Sequence, residues 1–352
     1  MSGIARTRSR RSTVIGAAAV AAAGVMTAVM PAAADSKGSH PRTGGHGDSA
    51  ASYFVASLKG ANEVPVEGGP AAGDKDGVAL EFVRIEGATV SFAVKWRGTG
   101  KPTALHIHQG ARGTNGGLKI DFTARLGKGH GEAAGEGRAT GKGDPAGKGR
   151  PAGKGLGKGS GGWRTATGAV EVANAALLAD FKANPTGFYA NLHTAEFPGG
   201  AVRGQFHRVT DGFDLARALH GFQARVLKGE QIYTCQEGAD GTRAFQQYDV
   251  RAVLAGGIAH SFVRPGSGTP QWIAPDRSAV TGSLIARSPN GAGNIPELDL
   301  RARSTGAEHG LLARTTEILR LNTVGGTAPA GDCEPGALAA VPYRADYVFI
   351  QR

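Results

Sequence analysis

Apolar and polar side chains alternate in short runs along most of this chain. Phe54, Ala56 and Leu58, then Val78, Leu80 and Phe82, then Val90, Phe92, Val94 and Trp96 each space apolar groups two apart, the period of a strand with one buried face. In Leu105-His106-Ile107-His108 the same period puts His106 and His108 on one face and Leu105 and Ile107 on the other. Asn115-Gly116 tolerates the positive φ of a tight hairpin, so Leu118 to Phe122 is expected to pair antiparallel with the histidine strand. Alternation stops in Gly127 to Gly162 and resumes at Ala169 to Val172. A short helix fits Ala175 to Lys182, ended by Asn184-Pro185, and strands follow at Phe188 to Thr194 and Ala201 to Val209. After Phe213 helical periodicity is nearly absent. Residues 231–235, 280–287, 297–302, 317–322 and 343–350 read as strands, with Tyr343, Ala345, Tyr347 and Phe349 on one face. The pattern predicts an all-β protein: a Greek-key β-sandwich over residues 52–209 and a second β-rich domain over 213–351.

The N-terminus changes the picture. Arg6, Arg8, Arg10 and Arg11 precede an Ala/Val/Gly-rich stretch from Val14 to Met30 that closes on Ala32-Ala33-Ala34. This is the layout of a secretory signal peptide over residues 1–34, cut after Ala34. The stretch is short of the roughly 20 strongly apolar residues of a stable span, so no membrane span is expected after cleavage. Ser9-Arg10-Arg11 fits the twin-arginine route, while Thr13 stands where that signal carries a large apolar residue, which leaves Sec export open. Residues 35–51 offer almost nothing to bury and are expected to form a disordered tail. The Gly-Lys insertion 127–162 reads as a flexible loop inside the first domain, because glycine at that density is entropically expensive to order.

Much of the net charge of +11 sits in the leader arginines and the Gly-Lys insertion. The folded parts are left with an ordinary surface, and nucleic-acid recognition is not expected. The basic insertion could rest on anionic cell-envelope polymers, or serve as solvated filler. Cys235 and Cys333, the only two cysteines, are expected to form a disulfide in an exported chain, with two free thiols as the alternative. The sequence contains no Gly-x-Ser-x-Gly elbow and no His-Glu-x-x-His, and Asp240, Asp249 and His260 have no recognisable catalytic spacing.

The candidate chemistry lies in the histidines. His193 faces away from Leu192, flanked on its own side by Asn191 and Tyr189. If its strand neighbours the His106 strand, three imidazoles converge and leave a fourth position open, a set that suits zinc or copper. The plainer alternative is that these histidines hydrogen-bond to neighbours such as Asn191 or Thr194 on a solvated sheet face. Phe197-Pro198-Gly199-Gly200 reads as a turn, across which Glu196 and Arg203 could pair.

Leu105 to Gly110, Asn115-Gly116, Asn191 to Thr194 and Phe197 to Gln205, with Arg203 among them, resemble the CHRD domain, a module of many secreted bacterial proteins. The chain departs from that pattern in the long insertion, in Ala201 where an acid is common, and in His207. Gly229 to Cys235, Asn322 to Pro329 and Tyr343 to Phe349 look like the DUF3455 family of secreted proteins. There the departure is Glu297 and Asp299, acids where the family runs apolar. The His-x-His strand is also similar, at the level of fold, to copper/zinc superoxide dismutase, although no Asp or Glu completes such a ligand set. These resemblances imply a secreted or cell-envelope binding or structural protein without demonstrated catalysis. The alternative is a metal-binding protein or a copper/zinc-dependent oxidoreductase using His106, His108 and His193.

Overall fold

The computed structural model describes residues 50–126 and 162–352. The expected signal peptide with its cut after Ala34, nearly all of the expected tail, and the Gly-Lys insertion up to residue 161 lie outside the described residues.

Eight strands form the first sheet: β1 (Ser52–Lys59), β2 (Val78–Glu86), β3 (Thr89–Arg97), β4 (Pro102–Gln109), β5 (Leu118–Asp121), β6 (Arg164–Glu171), β7 (Phe188–Thr194) and β8 (Val202–Val209). Their order is β5-β4-β7-β8-β1-β2-β3-β6. The non-sequential neighbours β4–β7, β8–β1 and β3–β6 are Greek-key pairings, and β8–β1 joins the two layers of the expected sandwich into one sheet curled as a half-barrel. Its concave face holds Phe54, Phe92, Leu105, Ile107, Phe122 and Phe206 in a single core. Helix α1 (Ala175–Ala183) starts where the Asn174 side chain accepts a hydrogen bond from the Leu177 amide at 3.0 Å, an N-cap that satisfies one orphan donor. The helix sends Phe181 into that core, with ring centroids 4.9 Å from Phe54 and 4.8 Å from Phe188.

The second half closes on itself. Strands β9 (Phe222–Glu237), β10 (Arg243–Leu254), β11 (Ile258–Phe262), β12 (Pro270–Ile273), β13 (Ala279–Ser288), β14 (Glu297–Ser304), β15 (Thr315–Gly325) and β16 (Leu338–Gln351) form a barrel in which β9 pairs with both β10 and β16. Strands β10 to β12 escaped the reading of the sequence. A register shift interrupts β10 between Gln247 and Asp249, and β11 and β12 span only five and four residues, too few to establish a period. Tyr343, Ala345, Tyr347 and Phe349 point inward together. The Cys235–Cys333 disulfide ties β9 to the loop before β16, and the Cys235 amide also donates to the Ala337 carbonyl at 2.8 Å.

The convex face of β1 to β3 packs on the outside of β15 and β16. Val55, Leu80, Phe82 and Ala93 meet Leu319, Leu321, Val348 and Ile350 in one apolar layer. Strands covered on both faces lose clean alternation, which is why Ala79-Leu80 and Phe82-Val83 run apolar without a break. The β4–β7 part of the convex face carries the histidines.

Candidate metal centre

Register places the site. Pairing of β4 with β7 sets Ala104 opposite His193, His106 opposite Asn191 and His108 opposite Tyr189, and β7 with β8 sets Asn191 opposite Arg203 and Tyr189 opposite Gln205. Leu105, Ile107 and Leu192 are buried beneath, so the polar residues share the outer face. Ring centroids are 4.9 Å apart for His106–His193 and 5.5 Å for His106–His108. One ring nitrogen from each of His106, His108 and His193 can be chosen so that all three lie within 4.8 Å of one another.

Hydrogen bonds fix which nitrogens are free. His108 Nδ1 lies 3.1 Å from the Gly116 carbonyl and His193 Nδ1 lies 3.0 Å from the Pro198 carbonyl. A carbonyl only accepts, so each Nδ1 carries the proton and each Nε2 keeps its lone pair. His106 is reversed: its Nε2 faces the Asp121 carboxylate at 3.5 Å and the Thr123 hydroxyl at 3.3 Å, which leaves Nδ1 as the acceptor. Those three acceptors, His106 Nδ1, His108 Nε2 and His193 Nε2, are buried and have no hydrogen-bond partner among the described residues. A metal ligand is held in the same way, its second nitrogen donating to a carbonyl or carboxylate that sets ring angle and basicity. Burial lowers all three imidazole pKa values, that of His106 to about 4 with His193 as a further cause. The rings are therefore neutral at pH 7, the state that binds metal. The Thr123 hydrogen bonds hold the Asp121 carboxyl below its usual range and keep it ionised beside His106.

The motif residues are the scaffold of this site. Gly116 is needed for close approach: a Cβ there would stand 1.6 Å from the Gln109 carbonyl oxygen. The positive φ in this loop falls on Gly113 (75°) and not on Asn115-Gly116, so the tight Asn-Gly hairpin turn is replaced by an eight-residue connection between β4 and β5. Asn115 caps that loop from within, donating to the Val64 carbonyl at 2.8 Å and accepting from Arg203 at 3.1 Å. Arg203 is 1% exposed. It turns into the loop to donate to the Ala111 and Thr114 carbonyls at 3.0 and 2.8 Å, and its guanidinium lies 3.5 Å from the centroid of the Tyr189 ring, which itself stacks on His108. The Pro198-Gly199-Gly200 turn presents the carbonyl that orients His193. Gly200 has φ 121°, and a Cβ there would meet Asn191 Oδ1 at 2.7 Å and Glu63 Oε1 at 2.6 Å. Burial raises Glu63 to about 8 despite the neighbouring Arg203.

Asp121, Thr123 and Glu63 were not singled out from the sequence. For Asp121 a signal existed, since a β4–β5 hairpin register sets it opposite His106. For Glu63, in a non-repetitive segment, there was none. Among the described residues no helix is long and apolar enough to cross a membrane.

Residues 54–206 match the CHRD domain, and residues 252–351 match a protein family of unknown function, DUF3455. No curated protein matches the chain. No solved structure matches it either. The half-barrel that carries the histidines is thus a CHRD domain, and the chain joins it to a DUF3455 domain.

Proposed function

We propose that this is an exported binding protein whose CHRD half holds one divalent transition-metal ion, zinc or copper(II), on His106, His108 and His193. One observation carries the reading: three neighbouring imidazoles that can offer ring nitrogens within 4.8 Å of one another, each keeping one nitrogen unpartnered among the described residues while the other orients the ring. Metal bonds of about 2.0–2.1 Å bring tetrahedral nitrogens about 3.4 Å apart, so binding draws the rings slightly inward. Zinc and copper both accept imidazole ligands. The leader-like N-terminus and the disulfide support export, and the N-terminus of the exported protein is expected at Asp35.

The test is a titration of full-length protein, stripped by chelator, with Zn(II) and Cu(II). One equivalent should bind, and His106→Ala, His108→Ala or His193→Ala should each weaken binding by about 100-fold, in keeping with the loss of a ligand rather than of an outer partner. Equal metal content in the parent and all three variants rules the site out. The second reading is an oxidoreductase. Three protein ligands leave coordination positions for a small molecule, which favours it, and superoxide turnover by the copper-loaded chain decides it.

A further inference from the structure

The interior of the DUF3455 barrel is incompletely filled. A cavity of about 990 Å³ lies within it, at the upper end of the range of small-molecule sites, and an eight-stranded barrel is wide enough to hold one such ligand. Part of the wall is apolar: Phe262, Trp272, Ile295, Leu300 and Leu284 line it. Leu284 faces Leu300 across β13 and β14 yet remains 51% exposed, as an apolar side chain at an open mouth would.

The polar part of the wall is one-sided. Two arginines face the cavity, Arg287 and Arg320, each in register with Leu298 on the inward face of β14, and no carboxylate lines it. Neither forms an ion pair among the described residues; Arg301, on the outer face of β14, pairs with Asp211 at 3.8 Å. Arg320 sits two residues from the inward Ile318, its Nε and Nη2 share the Pro296 carbonyl at 3.3 and 2.8 Å, it also hydrogen-bonds Tyr347, and no carboxylate pairs with it among the described residues. Two further donors are unused: Gln231 Nε2 and Trp272 Nε1 are buried on the wall with no hydrogen-bond partner among the described residues. The tyrosine hydroxyls are already committed. His260 donates from Nδ1 to the Gln271 carbonyl at 2.8 Å, so its Nε2 accepts from Tyr347 at 3.1 Å. Tyr343 then donates to Tyr347, and Tyr233 donates to the Gly326 carbonyl. What the wall lacks is an acceptor carrying negative charge.

We propose that the barrel is a binding site for a small amphipathic carboxylic acid, its apolar body against Trp272, Leu284 and Leu300 and its carboxylate on Arg320 and the Gln231 amide. The ligand class follows from charge and shape together: an uncompensated guanidinium and spare N–H groups select an anion with acceptor oxygens, and the apolar wall rewards a hydrocarbon body. This site is separate from the imidazoles and does not depend on a metal.

Calorimetric titration of metal-free full-length protein with decanoate, decan-1-ol and decyltrimethylammonium tests it. One decanoate should bind per chain, at least tenfold tighter than the alcohol, and the ammonium should not bind. Arg320→Gln should erase the preference for the acid, and Arg320→Lys should retain most of it. Because the interior arginine could be required for folding, Leu284→Glu at the open mouth gives a second measurement, with decanoate affinity expected to fall at least tenfold. The site is refuted if decanoate binds no tighter than decan-1-ol, or if its preference survives in every folded variant.

Discussion

The half-barrel and the closed barrel are both eight strands of alternating residues, yet they place their polar chemistry on opposite sides of the sheet. In the half-barrel the concave face is packed solid by aromatic rings, Phe181 from α1 among them, and the imidazoles stand outside on β4 and β7. In the closed barrel the convex face of β15 and β16 is apolar and buried against the neighbouring sheet, while Tyr347, His260, Gln231 and Arg320 turn inward around a cavity. Closure explains the difference. A sheet left open can be plugged by a helix and filled, whereas ring closure fixes an interior diameter that these side chains do not fill. The lesson is that alternation reports two faces without saying which one carries function.

The largest expected effect separates the two halves by their means of closure. Cys235→Ser with Cys333→Ser should lower stability by roughly 4 to 5 kcal/mol from the loss of loop constraint, measured by chemical denaturation, and should leave metal stoichiometry at the imidazoles unchanged. Loss of metal binding in that variant would show that the half-barrel depends on the barrel for its form.

A smaller effect tests how completely the half-barrel core excludes water. Glu81 is fully buried on β2, and neither of its carboxyl oxygens has a partner among the described residues. Burial lifts its pKa well above the usual range, so it is held as the neutral acid. Glu81→Leu should raise stability by about 1–3 kcal/mol, since it removes the cost of an unpaired buried polar group. The sign of the pH dependence follows. Burial also raises Glu63 and Glu317 to about 8, with Asp299 adding to the shift of Glu317. The folded chain therefore keeps protons that an unfolded chain releases above about pH 4.5, and this contribution to stability falls as pH rises toward 8. His260, lowered by burial to about 3, has the other sign and loses stability only as pH falls below about 6.5. Scanning calorimetry should show a lower Tm at pH 8.5 than at pH 6.5, and Glu81→Leu should flatten that slope. A Tm that rises over this interval would contradict the neutral state of these carboxyls.

The smallest effect concerns the outer face. Asp121→Asn removes the charge facing His106 Nε2 without touching a nitrogen proposed to bind metal, and should weaken zinc affinity by about 10-fold, at the lower end of what outer partners contribute. The same change should leave decanoate binding in the barrel unaltered. An affinity within twofold of the parent would mean that Thr123 alone orients the ring.

Much of this could be read along the chain. The inward Leu105 and Ile107, the outward His106 and His108, the helix ended by Asn184-Pro185, and the inward tyrosines of β16 all follow from periods of two and 3.6. The site was only half visible, because its supports arrive from elsewhere: Gly116 and Pro198 through carbonyls that any residue possesses, and Glu63 through a close approach no spacing predicts. Two of the departures from the family patterns are instructive. His207 of the CHRD domain and Glu297 of the DUF3455 domain meet, Nε2 to Oε2 at 3.4 Å, and Arg112 from the β4–β5 loop joins them at 2.7 Å from Glu297. Each looked like an isolated exception, and together they form a buried contact between the halves.

By itself the sequence determined the strands other than β10 to β12, which of their side chains share a face, and the pairing of its only two cysteines, because these depend on backbone periodicity and on the absence of other thiol partners. The tertiary structure alone decided that one sheet stays open and the other closes, that a cavity remains inside the second, and which apolar face is covered by its neighbour. Those outcomes rest on contacts between residues far apart in the chain, such as Arg112 with Glu297, whose free energies no local window contains.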